Sequence, residues 1–400
     1  MNKLQKFWAH SISSLTAFEA LQHFIHFTET FIYHQYLTWD RKLEQPTPAS
    51  RAKLTPWYLQ SGLVFVSCFV LPLKIFQEIM AYKKDPDITV TAWLMFVFYQ
   101  CLLTICVANI LSFIFKIDEM CLGLKNLWRM KQVADQDGRR INSSDRSPRY
   151  DLVGVFLHAL IPGSITIPLT IATFPFLFEN DDPSYHIIRQ WTFLSPNAQF
   201  WLRVCSLFFV GLHVTTVLFL CAIFCTTIGL AFHTCQAAMI RNFSRFEVNV
   251  FRRVRQFEKD VIHYRRFTIV AKATNDFIFY TLPIACLTTL VGSIVCGYIL
   301  IKLTGRVSLM MTFFVGDVMV VLIMVVLWVI RQFGDVFHES GEVIRVWKLS
   351  VGASKYMSRQ VRSCSRLKIE VGPFFFVRKE TRIVMISVIA YHTISLVISV

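Results

Sequence analysis

The chain reads as an all-α membrane protein of seven transmembrane helices, with a cytoplasmic N-terminus and an extracellular C-terminus. Three observations carry this reading. Hydrophobic residues make up 54% of the 400 positions and charged residues only 17%. The charges are bunched, leaving charge-free runs long enough to cross a bilayer. The basic residues gather in alternate loops, which sets direction.

The first strongly apolar run begins only after Lys53, so no secretory signal is expected and the first span would direct its own insertion. Before it, residues 7–39 are aromatic, with Leu15, Phe18, Leu21 and Ile25 at helical spacing. Glu19 and Glu29 argue for an interfacial helix that does not span. From one charge to the next, the spans fall at residues 57–80, 88–115, 152–178, 204–236, 277–301, 307–330 and 383–400. Pro162, Pro168 and Pro175 fall in the third and are expected to kink it. The fourth is the centre of a run uncharged from Arg203 to Arg241, so its helix should tilt or project from the bilayer. These limits divide the chain into a cytoplasmic N-terminal region (1–53), a six-helix bundle (54–330), a cytoplasmic segment (331–382) and a last helix (383–400).

Loop charge gives the orientation. Residues 241–276 hold nine Lys/Arg against four acids, residues 331–382 eleven against five, and residues 116–151 eight basic residues. On the other face, residues 179–203 hold Glu179, Asp181 and Asp182 against Arg189 and Arg203. The positive-inside rule places the basic loops in the cytoplasm. The net charge of +15 therefore faces anionic lipid, and no nucleic-acid partner is expected. The sequons at Asn142 and Asn242 fall on the cytoplasmic side and should stay unglycosylated.

No enzyme motif is present: no nucleophile elbow, P-loop or dinucleotide fingerprint. His23 and His26 form one isolated pair without the further boxes that a di-iron site needs, and interfacial histidines are the plain reading. His158, His213 and His233 are scattered, and the eleven cysteines sit mostly in apolar runs, where Cys behaves as a small hydrophobe. No metal or other cofactor is expected. A rhodopsin-type receptor would need the N-terminus outside, an acid-Arg-aromatic triplet after the third span and Asn-Pro-x-x-Tyr in the seventh; the sequence has neither motif. That class is the alternative, with a transporter behind it.

Two features invite function. Asp317, in "FFVGDVMVV", is a carboxyl well inside a span, which costs roughly 2.5–3.5 kcal/mol on insertion scales. It is expected to face the bundle interior, either as a ligand or ion contact or as a hydrogen-bonded lock between helices. The outer halves of the spans add mixed aromatic and polar candidates for a small-ligand site: Trp93, Tyr99, Thr170, Phe174, Trp201, Phe208, Tyr298 and Phe313. The second feature is the last span, "RIVMISVIAYHTISLVISV", where Ser387, Tyr391, Ser395 and Ser399 recur every four residues. They form a slowly drifting stripe on one helix face. The stripe suits either a wetted conduit or tight helix packing.

The C-terminal stretch "SCSRLKIEVGPFFFVRKETRIVMISVIAYHTISLV" resembles the end of the arthropod gustatory receptors, relatives of insect odorant receptors. Gly372, Phe374 to Phe376, Arg378, Glu380 and Thr381 fit the family's approach to its last helix, and Tyr391 fits its tyrosine. Ala390 stands where the family carries threonine, and Val397 and Ile398 where it carries Gln-Phe. The resemblance implies a chemosensory receptor at the plasma membrane of a sensory neuron, built as a homo- or heterotetrameric cation channel gated by a small molecule. It also implies that the last helix lines the pore and that residues 331–382 join the anchor between subunits. Pore lining by Ser387, Tyr391, Ser395 and Ser399, with Ile394 and Ile398 as the closing apolar positions, follows from it.

Overall fold

All seven charge-free runs are helices long and apolar enough to cross a membrane. The computed structural model describes residues 16–40, 45–80, 88–141, 152–177, 182–245, 250–305, 307, 309–350 and 354–399. Residues 7–15 of the N-terminal segment, the Asn142 sequon, Glu179 and Asp181 lie outside them.

In chain order, α1 (Ala17–Phe31) leads into a hairpin of β1 (Leu37–Asp40) and β2 (Gln45–Pro48). The spans begin with α2 (Thr55–Ile79), α3 (Val90–Ile141) and α4 (Leu152–Ala172). The short helices α5 (Phe174–Leu177) and α6 (Pro183–Ile188) lead to the fourth span, α7 (Pro196–Arg245). Helix α8 (Val250–Ile278) then feeds α9 (Thr281–Tyr298). The sixth span, α10 (Leu309–Val325), passes through a wide π turn at Val326–Ile330 into α11 (Arg331–Ser350). Helix α12 (Lys355–Arg362) and a hairpin of β3 (Glu370–Val371) and β4 (Phe375–Phe376) precede the last span, α13 (Thr381–Ser399).

Three spans run well past the limits set by charge. Helix α3 continues 25 residues beyond Lys116, where its backbone leaves helical geometry (φ −130°, ψ 21°). Helices α7 and α10–α11 likewise project beyond the bilayer-length core. Their extensions hold together because α8 and α11 bury aromatic side chains against one another. Trp347 of α11 is fully buried beside Phe257 and Tyr264 of α8, with ring centroids 5.7 and 5.4 Å away. Phe232 of α7 meets Phe267 of α8 at 5.6 Å. Burial of such rings offsets the cost of lifting a polar-faced helix out of water.

The segment before α13 is pinned onto the same body. Tyr264 Oη donates to the Ser365 carbonyl at 2.7 Å, and burial pushes its phenol upward in pKa. Asn275 bonds twice to the passing strand, donating to the Lys368 carbonyl (2.9 Å) and accepting from Glu370 N–H (3.0 Å). Ser340 Oγ accepts Leu367 N–H at 3.0 Å. Gly372 turns the second hairpin with φ +53°, in the left-handed region that favours glycine, directly over Pro283 and the Phe279 carbonyl.

Of the three prolines in the third span, Pro162 and Pro168 are carried inside α4, and the break at Thr173 falls beside Pro175. Proline has no N–H to donate to the previous turn, which is where the helix parts.

The N-terminal helix corrects one expectation. Helix α1 has 15 residues, too few to span, but it is not laid along a surface. It packs against α4 and α7, burying Ala17, Leu21, Phe24 and Ile25. Its start lies where Thr227 Oγ1 donates to the Ala17 carbonyl (3.2 Å). Just past its end, Tyr33 Oη bonds His213 Nδ1 (2.7 Å) and Thr216 Oγ1 (2.8 Å), and Ser61 Oγ reaches the other ring nitrogen at 3.0 Å. From Thr227 to His213 is about 21 Å along α7 at 1.5 Å per residue. The helix thus runs antiparallel to α7, and the chain returns through the first hairpin, where Trp39 meets Trp128. Thr16 and Glu19 close a capping box at its start.

Candidate ligand cavity and candidate pore helix

At the end of the bundle remote from α11 and α12, the loop before α7 folds into a cap. Asp182 is the N-cap of α6, accepting Tyr185 N–H at 3.0 Å and the Ser184 hydroxyl, while its other oxygen accepts from the Arg203 guanidinium of α7. Asp182 is fully buried and Arg203 is 7% exposed. Arg203 also lies under the Tyr185 ring at 4.9 Å, with Arg189 at 5.2 Å from the same ring. His186 is buried with its ring 5.3 Å from Phe96, so the cap is fastened onto α3 as well as α7.

Beneath the cap lies an apolar cluster separate from the main core. Met95, Phe174, Leu207, Cys296, Met311 and Val315 are its buried centre. Phe314 meets Phe174 and Phe98 edge-to-face at 5.3 and 5.7 Å. The cluster encloses a cavity of about 10 Å³ between α3, α9 and α10. It has room for about one water-sized sphere.

The sequence-derived candidates divide sharply around this cavity. Phe174 belongs to the cluster, and Tyr99 and Tyr298 pack against it. Trp93 is half-buried, 6.3 Å from Phe96, and Phe208 is half-buried beside Phe209. Thr170 is exposed and donates to its own helix at the Thr166 carbonyl (3.0 Å). Trp201 and Phe313 point outward, 58% and 69% exposed. Asp317 is exposed too, which corrects the expectation that it faces the interior. The reason is helical phase. Met311, Val315 and Val318 turn one face of α10 to the cavity, and Phe313 and Asp317 lie two positions further round, on the opposite side. Met95, Phe98, Cys296, Met311 and Phe314 were not among the candidates. Apart from Thr312, Gly316 and Asp317, helix α10 consists of apolar side chains all round, so no hydrophobic stripe in its sequence marks the inward face.

Helix α13 has two distinct faces. Met385, Ile389 and Thr393 are buried, and the helix rests mainly on α9. Gly297 of α9 admits Thr393 so closely that a Cβ there would stand 2.8 Å from its methyl. Roughly opposite, Ser387, Tyr391, Ile394, Ser395 and Ile398 are exposed, with Tyr391 69% and Ile398 79% open in the single chain. Ser399 is also exposed, at the end of the drifting stripe. The hydroxyl stripe is therefore not what packs this helix onto its own bundle.

No protein-family model and no curated protein sequence matches the chain. Among solved structures, it is similar to the insect olfactory receptor OR5 from Machilis hrabei in complex with eugenol. That likeness has a TM-score of 0.59 at 12% identity and covers 99% of this chain and 98% of that one. A second structure of that receptor gives a TM-score of 0.54 at 11% identity, covering 98% of each chain. The class defined here is a seven-helix, multi-pass membrane protein. Its particular architecture is the insect olfactory receptor fold, shared over nearly the whole length.

Proposed function

We propose that this chain is a subunit of a small-molecule-gated, non-selective cation channel of the insect chemoreceptor type, serving as a gustatory-type receptor for a tastant. The observation that carries the reading is the two-faced last helix. Its packed face is Met385, Ile389 and Thr393, and its open face presents the hydroxyls of Ser387, Tyr391 and Ser395. Four copies around one axis, identical or mixed, would join these stripes into a wet conduit. Ile394 and Ile398 on the same open side would close it by dewetting. The pinning of residues 363–370 onto α8 supports residues 331–382 as part of the anchor between subunits. The shared fold supports a membrane receptor and does not favour the G-protein-coupled alternative. The C-terminal resemblance supports the gustatory branch, with the basic loops in the cytoplasm of a sensory neuron.

The ligand site in this reading is the cluster beneath the cap. Drug-sized pockets hold roughly 300–1,000 Å³, so a ligand must repack this one to enter. Met95 and Met311 supply side chains that rearrange at small cost. The cavity lies between α3, α9 and α10, and α9 is also the helix on which α13 rests, so repacking has a short path to the conduit.

The experiment is reconstitution of purified protein in liposomes free of G proteins, screened with small organic molecules that include eugenol. The expected result is a ligand-evoked cation flux, weakened in Val315→Ile, whose added methyl takes up the water-sized space, while the variant remains folded and oligomeric. A response that requires added G protein would contradict the proposal.

A further inference from the structure

Helix α1 has a polar stripe that neither the cavity nor the conduit uses. His23, His26 and Thr30 are exposed at helical spacing, and Glu19 lies one turn before His23, opposite the buried face of Leu21, Phe24 and Ile25. Across from this stripe stands His158 of α4. The two rings meet through His23 Nδ1 and His158 Nε2 at 3.1 Å, with ring planes 72° apart. The partner of the second His158 nitrogen fixes the chemistry. His158 Nδ1 is 2.7 Å from the Gly154 carbonyl, which only accepts, so that nitrogen carries the proton. The His158 Nε2 lone pair therefore faces His23. A ligating histidine is commonly oriented this way, by its second N–H on a backbone carbonyl.

The spacing suits a metal ion as well as it suits a proton. Two Zn–N bonds of about 2.05 Å across this gap subtend an angle of about 98°, between the square-planar and tetrahedral values. We propose that His23 and His158 form a two-histidine site for a borderline transition-metal cation, Zn²⁺ or Cu²⁺, that staples the N-terminal helix to the third span. His23 contributes Nδ1 by carrying its own proton on Nε2, so no proton need be released from the neutral pair. Among the described residues no group of three or more His, Cys, Asp or Glu is placed to hold a metal, so water completes the coordination. The imidazole pair selects against Mg²⁺, which prefers oxygen.

The test uses full-length protein in lipid nanodiscs with Zn²⁺, and separately Mg²⁺, as the probe. Zn²⁺ is expected to raise the unfolding temperature of the wild type, as any ligand of the folded state does, and Mg²⁺ is not. His23→Ala and His158→Ala should each lose the Zn²⁺ shift, while His26→Ala keeps it. A wild type without the shift, or either of the first two variants retaining it, overturns the site. Should those variants fail to fold, the Cu²⁺ electron paramagnetic spectrum of the wild type decides. Hyperfine structure from two nitrogens supports the pair, and one nitrogen or none overturns it.

Discussion

Arg203→Met is expected to destabilise the protein by about 3–5 kcal/mol, because it strands a buried carboxylate. Asp182 is fully buried, and the guanidinium is the cation placed on its second oxygen. The methionine retains the aliphatic bulk of arginine but supplies neither charge nor donor. The double variant Asp182→Asn, Arg203→Met should recover part of the loss, since Asn still caps α6 without a charge to strand. Thermal unfolding in detergent checks both, and a single-variant cost below about 1 kcal/mol would mean that water, not arginine, serves Asp182. The same variant should loosen the cap over the cavity, so ligand responses at permissive temperature should weaken more than surface expression does.

Gly334→Val is expected to cost about 1–3 kcal/mol or more, as overpacking does in well-packed interiors. A Cβ at this position would stand 2.8 Å from the Arg378 carbonyl carbon and 3.0 Å from Lys379 N. Those are backbone atoms of the segment that leads into α13, and they cannot swing aside as a side chain would. The change should therefore displace the start of the last helix and alter opening even in protein that still folds. Gly316→Ala is the control, since nothing lies within 4 Å of its Cβ and alanine favours the helix. Unfolding temperature and ligand-evoked flux on both variants separate the two effects. Equal behaviour of Gly334→Val and Gly316→Ala would show that the contact gives way freely.

The spans were legible because hydropathy and charge are one-dimensional signals, and a charge-free run of bilayer length permits few readings. The two faces of α13 were legible for a related reason: Ser387, Tyr391 and Ser395 differ chemically from Met385 and Ile389, so the stripe shows in the spacing. The inward face of α10 was not, because Phe313 and Phe314 are chemically alike and 100° apart. Only packing against Phe174 and Phe98 selects Phe314. Insertion cost alone points Asp317 inward, and the phase of α10 turns it outward. Long-range pairs were invisible for another reason. Asp182 with Arg203 and His23 with His158 are ordinary residues until the fold brings them together. The docking of α1 on α7 depends on Tyr33, His213 and Ser61, which stand far apart in the chain.

The central claim is that the exposed face of α13 lines a water-filled conduit, and cysteine accessibility tests it most directly. Cysteines placed singly at Ser387, Tyr391, Ser395 and Ser399 should react with a charged, water-soluble thiol reagent and change the current. The deeper positions should react faster when ligand is present. Cysteine at Ile389, on the face packed toward α9, should stay unmodified, since thiolate forms readily in water and poorly in a packed or lipid-facing site. The account predicts this contrast between faces. Stripe positions that are all inaccessible with and without ligand would contradict it and make the hydroxyls packing residues.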